Sequence, residues 1–166
     1  MKDVRPTSGR VVSALFSILG GKVEGARFLD LFAGTGRVGL EALRRGAESC
    51  VFAESVKTRA EELRRLAGGS VVLGLEVRRA VSWLVKREMT FDVIFADPPY
   101  SSGWCEVLPA LPNLNALFAH DAVMAVEHSA REELTLSDNP NGLKVVSVRD
   151  YGETCLTFLK LGGYES

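Results

Sequence analysis

Short apolar runs alternate with stretches of helical period along most of this chain, and that alternation leaves few folds open. Arg27–Phe32, Ser49–Ala53, Val71–Val77, Phe91–Ala96 and Ala122–Glu127 read as strands. Between them Val38–Arg45, Lys57–Leu66 and Val81–Arg87 place apolar residues at helical spacing, and Trp104–Leu117 reads as a helix interrupted by Pro109 and Pro112. Strand, helix, strand in succession means βαβ units, a parallel sheet and helices on both faces. Leu143–Arg149 and Thr154–Leu161 form a terminal pair with Tyr151-Gly152 at the turn. Ahead of the first strand, Val11, Val12, Leu15, Phe16 and Leu19 give Ser8–Leu19 one apolar helical face. With 166 residues and 46% hydrophobic content, a single domain over residues 1–166 is expected, residues 1–22 being an arm and a helix packed on it.

In such sheets ligands bind beyond the carboxyl ends of the strands. Three of those ends carry unusual chemistry. In "LDLFAGTGRVGLEAL", residues 29–43, Asp30 is followed by a turn through Phe32, Ala33, Gly34, Thr35 and Gly36 into the next helix. Gly34, Gly36 and Gly39 match the dinucleotide fingerprint, a weak signal alone. Glu54 ends the second strand, where a carboxylate can accept two ribose hydroxyls. Asp30 would repel a pyrophosphate and attract an ammonium, and no lysine stands in the turn. S-adenosylmethionine is therefore expected rather than a nicotinamide dinucleotide, held by residues 30, 32–36 and 54.

The third end is "DPPY", residues 97–100. Proline cannot donate to a strand ladder, so the strand stops there. Methylating an exocyclic amine of a base is difficult because the nitrogen lone pair is delocalised into the ring. Asp97 and the Pro98 carbonyl supply two acceptors for the amine protons, Pro99 stiffens the chain, and Tyr100 offers a face for an unstacked base. Asp97, Pro98, Pro99 and Tyr100 are thus the expected catalytic set, with Asp97 also beside the cofactor. Positioning carries much of the barrier.

The segments "RPTSGRVVSALFSIL" (5–19), "LDLFAGTGRVGLEALRRGA" (29–47), "VFAE" (51–54), "FDVIFADPPY" (91–100) and "YGETCLTFLK" (151–160) together resemble the RsmD family of bacterial 16S ribosomal RNA guanine-N2 methyltransferases. The resemblance spans nearly the whole chain. It implies a Rossmann-like methyltransferase fold, a mostly parallel seven-stranded sheet with an antiparallel last strand. It further implies S-adenosylmethionine as donor and a guanine of 16S RNA as target, in a small ribosomal subunit or its assembly intermediate. Family members often carry Asn or Asp before the alanine that begins the adenine contact. Here the pair is Arg79-Ala80, which leaves the Ala80 backbone amide for adenine.

Arg5, Thr7 and Arg10 are expected to border the substrate side of the pocket, and Trp104 to touch substrate. Trp83, at helical spacing, is assigned to the core or to the adenine-pocket wall. Residues 1–100 carry 16 Lys/Arg against 12 Asp/Glu, and residues 101–166 carry 4 against 9, a mild basic bias compatible with RNA. No apolar run approaches the roughly 20 residues that span a bilayer. Cys50, Cys105 and Cys155 form no CxxC pair, which points to the cytoplasm. With His120 and His128 the only histidines, no metal is expected, and the protein is expected to be a monomer. Two other functions fit parts of the pattern. A DNA adenine or cytosine amino-methyltransferase shares DPPY but usually needs a recognition domain. A catalytically silent cofactor-binding protein would not need DPPY, Asp30 and Glu54 together.

Overall fold

The computed structural model describes residues 8–163, so Arg5 and Thr7 lie outside the described residues. Seven strands form one sheet, β1 (Arg27–Leu31), β2 (Ser49–Ala53), β3 (Val71–Leu73), β4 (Phe91–Ala96), β5 (Phe118–Ser129), β6 (Leu143–Tyr151) and β7 (Thr154–Leu161). Their order across the sheet is β3-β2-β1-β4-β5-β7-β6. β1 to β5 run parallel, and β7 is antiparallel to both β5 and β6. This is the expected Rossmann-like arrangement. Strand order reverses at β1, between β2 and β4, which is where such sheets open a crevice.

Helices cover both faces. α1 (Gly9–Leu19), α2 (Arg37–Arg44) and α3 (Lys57–Leu66) pack on one face through Leu15, Phe16, Ala42 and Leu63. α4 (Val77–Lys86) and the short α5 (Trp104–Val107) cover the other, with Val81, Leu84, Leu108 and Leu114 in that core. The strand period of two divides the residues: Phe28 and Phe95 face the α1 side, whereas Leu29 and Ile94 face α4. Among the described residues no helix is long and apolar enough to cross a membrane.

Several boundaries differ from expectation; β5, for example, runs from Phe118 to Ser129 rather than from Ala122 to Glu127. α1 starts at Gly9 because the Ser8 hydroxyl caps it, accepting the Val11 N–H at 3.2 Å. β3 ends at Leu73, and α4 begins at Val77 rather than Val81. Glu76 is its cap and accepts the Arg78 N–H at 3.1 Å. Trp104–Leu117 is one turn of helix followed by 3-10 turns at Leu108–Ala110 and Leu114–Leu117, since Pro109 and Pro112 cannot donate to a continuous helix.

α2 lies so close to β2 that a β-carbon at Gly39 would stand 2.4 Å from Phe52 Cε1 and 2.7 Å from Cys50 Sγ. Both neighbours are buried. Gly39→Ala should therefore destabilise the fold by a net of at least about 1 kcal/mol, the overpacking cost exceeding the helical gain of alanine. A lower urea midpoint with an unchanged slope is the expected result.

Candidate active site

The carboxyl ends of β1, β2 and β4 and the first turns of α2 and α3 surround a cleft of about 920 Å³. Asp30 lies in its floor, 1% exposed, and accepts the Gly39 N–H at 3.0 Å. Burial pushes its carboxyl up from an ordinary 3.8 to about 7; the Gly39 amide opposes this and the Glu54 carboxylate adds to it. Glu54 is also buried. One oxygen accepts the Gly34 N–H at 2.8 Å and the other accepts the Val56 N–H at 2.7 Å. It therefore ties the β1–α2 turn to the β2–α3 turn.

Phe32, Ala33, Gly34 and Thr35 line the cleft as expected. Phe32 adopts φ 58°, a left-handed conformation costly for a bulky residue, and Trp104 packs edge-on against its ring with centroids 4.9 Å apart. Gly36 does not line the cleft. It has φ 82°, its N–H donates to Ala33 O at 2.8 Å, and a β-carbon there would stand 2.1 Å from Leu63 Cδ2. Its glycine serves the turn and the approach of α3, which corrects its assignment to the ligand.

Ala80 is a second correction. It lies in α4, fully buried, and its N–H donates to Glu76 O at 2.9 Å, so no amide is left for adenine. Because α4 starts early, Leu75, Glu76 and Val77 line the cleft in its place. Trp83 packs on the α4-side core, with the Arg87 guanidinium 3.6 Å above its ring, and it is not on the cleft.

β4 brings DPPY alongside the glycine turn. Asp30 pairs with Phe95 and Leu31 with Ala96, so Asp97 emerges beside Phe32. Asp97, Pro98, Pro99 and Tyr100 all line the cleft. The Ser102 hydroxyl donates to the Pro99 carbonyl, and the Ser101 N–H donates to Glu132 at 2.9 Å, which holds the loop after the tyrosine. The Tyr100 hydroxyl is bonded to Thr154 Oγ1 at 2.6 Å, so the start of β7 fixes the tyrosine ring. Trp104 reaches the cleft with the Arg78 guanidinium 4.7 Å over its ring.

The arm is only partly where it was expected. Ser8 lines the cleft, but Arg10 does not; its guanidinium lies 5.7 Å from the centroid of the Tyr151 ring. Among the described residues, the cations that do line it are Arg37 and Arg59. Glu127 lines it too, 4% exposed and two residues before the end of β5. It satisfies the rule that drew attention to Glu54, an acid at the carboxyl end of a parallel strand. Arg37 and Arg59 carry no such signal, since they sit on helices among many exposed arginines. Arg44 and Arg45 both pair with Glu41, and Arg65 with Glu62, on helix surfaces.

The family described as conserved hypothetical protein 95 matches residues 1–160. Ribosomal RNA small subunit methyltransferase D of Escherichia coli K12 is 32% identical over 136 residues, covering 79% of this chain and 67% of that protein. The Haemophilus influenzae protein of the same name is 31% identical over 161 residues, covering 90% of this chain and 83% of its own. The chain belongs to the RsmD family of methyltransferases. Among solved structures, a hypothetical protein of Thermus thermophilus superposes with a TM-score of 0.76 at 29% identity, covering 93% of this chain and 86% of that one. An Escherichia coli structure described as the methyltransferase yhhF, an assignment its description qualifies, gives 0.75 at 27% identity over 94% and 86%.

The RsmD-family cleft holds a buried carboxyl that resists ionisation, and this has a consequence for stability. A raised carboxyl pKa in the folded state means that its contribution is most favourable below 3.8 and is lost as pH rises towards about 7. Asp30→Asn removes that loss. The variant should gain melting temperature over the native chain at pH 8, and the gain should shrink at pH 5 in parallel calorimetric scans.

Proposed function

We propose that this chain transfers the methyl group of S-adenosylmethionine to the exocyclic N2 of a guanine in 16S ribosomal RNA. The substrate would be the RNA in a small subunit or its assembly intermediate in the cytoplasm, with residues 1–166 acting as one methyltransferase domain. The observation that carries the reading is the convergence of Asp97, Pro98 and Tyr100 on the same cleft as Asp30, Glu54 and the glycine turn. The names of the relatives, small subunit methyltransferase D, supply the RNA.

The residues present fit the cofactor. Asp30 is a carboxylate whose ionisation is costly without a cation, and an amino-acid ammonium relieves that cost. Glu54 uses one lone pair of each oxygen on backbone amides, leaving the others for ribose hydroxyls. Leu75 and Val77 give an apolar wall for a purine ring, and the Glu76 carboxylate beside them can accept from its amine. When bound, S-adenosylmethionine would supply an electrophilic methyl group for the amine nitrogen and would end as S-adenosylhomocysteine. Asp97 and the Pro98 carbonyl orient the amine by accepting its protons, and Asp97 passes the surplus proton to water. Tyr100, fixed by Thr154, holds the ring plane. Trp104 is held at the rim by Phe32 and Arg78, within reach of either ligand. Arg5 and Thr7 remain assigned to the substrate side, with Arg37 and Arg59 added as cations that can meet RNA phosphate.

The test is incubation with labelled S-adenosylmethionine and three substrates: naked 16S RNA, unmethylated small subunits and duplex DNA. N2-methylguanosine in digested RNA supports the reading; label only in DNA overturns it. Asp97→Ala should abolish transfer yet leave the S-adenosylhomocysteine dissociation constant within about threefold, because it removes the amine acceptor and not the sugar or ammonium contact; near-native turnover would refute the role. Because the cationic ligand requires ionised Asp30, whose pKa is about 7, affinity should weaken by about tenfold per pH unit once pH falls below that value. Calorimetry with S-adenosylhomocysteine at pH 6 and pH 8 reads this directly.

A further inference from the structure

Glu127 is a buried acid in the cleft to which methyl transfer as derived above gives no task. β4 and β5 are parallel neighbours whose last pair is Ala96 with Val126, so Asp97, the residue just past β4, and Glu127, near the end of β5, come next on adjacent strands. The strand period sets their direction. Phe95 and Ala125 both face the α1-side core, Glu127 two residues on in β5 projects to that same face, and Asp97, just past β4, lines the same cleft as Phe95 and Glu127. On the far side β7 pairs Leu156 with Glu127, and two residues earlier on that strand Thr154 holds the Tyr100 hydroxyl. Two carboxylates and an anchored aromatic ring thus belong to one wall.

Ionised carboxylates only accept hydrogen bonds, each through roughly four lone-pair sites. The base that answers an acceptor-only wall is the one whose edge is a run of donors. Guanine presents N1–H beside both protons of N2. Adenine and cytosine place a ring acceptor next to the amine, and uracil flanks its single N–H with carbonyls. We infer that Glu127 reads the N1–H of the target guanine while Asp97 and the Pro98 carbonyl hold N2, which makes Glu127 the residue that selects guanine over other amino-bearing bases. The inference rests on the proposed guanine-N2 activity and needs only one lone pair of Glu127, whatever its other contacts.

2-Aminopurine keeps the 2-amine but has a bare N1 lone pair that the Glu127 carboxylate would repel; it also lacks O6, a difference shared by native and variant protein, so the change in their ratios reads the N1 contact. A glutamine in place of Glu127 can donate to that lone pair. The guanine modified by the native protein is located by mass spectrometry. Small subunits are then reconstituted from 16S RNA in which splinted ligation has put 2-aminopurine at that position. The native protein should prefer guanine by at least about 100-fold, as a site built around a substrate N–H does. Glu127→Gln should narrow that ratio at least tenfold while its melting temperature and S-adenosylhomocysteine affinity stay near native. If E127Q turns over neither RNA, the ratio of their dissociation constants with S-adenosylhomocysteine bound supplies the same comparison. An unchanged ratio makes Glu127 a structural acid and overturns the inference alone. Failure of the native protein to form N2-methylguanosine in any RNA removes the underlying activity, and the inference with it.

Discussion

The Glu54 carboxylate receives the Gly34 N–H on one oxygen and the Val56 N–H on the other. These two bonds join the turns that leave β1 and β2, the strands on one side of the crevice. Both turns expose backbone donors at the start of a helix, and a buried N–H without a partner costs as much as a lost hydrogen bond. A single buried side chain therefore satisfies two orphan donors and sets the distance between two helices. The turn it holds is also the one in which Phe32 is forced to a left-handed conformation, so the ring that meets Trp104 is positioned by the same pair of bonds.

Electrostatics organise the rest of the cleft. Asp30, Glu54, Asp97 and Glu127 gather at the ends of four neighbouring strands, β1, β2, β4 and β5. Burying acids together is unfavourable unless something cationic or donor-rich completes the site, and the raised pKa of Asp30, due first to its burial and in smaller part to Glu54, records that cost. The expected occupants complement it: an ammonium, ribose hydroxyls and a donor-lined base edge. Arg37 and Arg59 stand at the same cleft and supply the opposite charge where a polynucleotide backbone would pass.

Much of this was legible in the chain before its structure. Alternating periods announced the doubly wound sheet because each strand must bury apolar residues and each crossover helix must cover them. Asp30, Glu54 and DPPY stood out because an acid or a proline pair directly after an apolar run marks a strand end. Glu127 obeyed the same rule. The misassignments have local causes. Ala80 was carried over from the family resemblance at an expected strand end, whereas the Glu76 cap starts α4 a turn earlier and the Ala80 amide is spent inside the helix. Gly36 followed from a fingerprint that does not say which glycine meets a ligand and which meets a neighbouring helix.

The sequence by itself determined the succession of elements, the strand ends at which chemistry collects and the residue types brought there, because these depend on local periodicity and on the backbone limits of glycine and proline. Only the tertiary structure decided which strand ends become neighbours. Asp97 stands beside Phe32 and Glu127 because β4 is inserted between β1 and β5. Thr154 meets Tyr100 because β7 returns antiparallel along β5. Gly36 is committed to Leu63 because α2 and α3 pack on the same face. Those juxtapositions arise from long-range strand pairing and close packing, which no short stretch of the chain encodes.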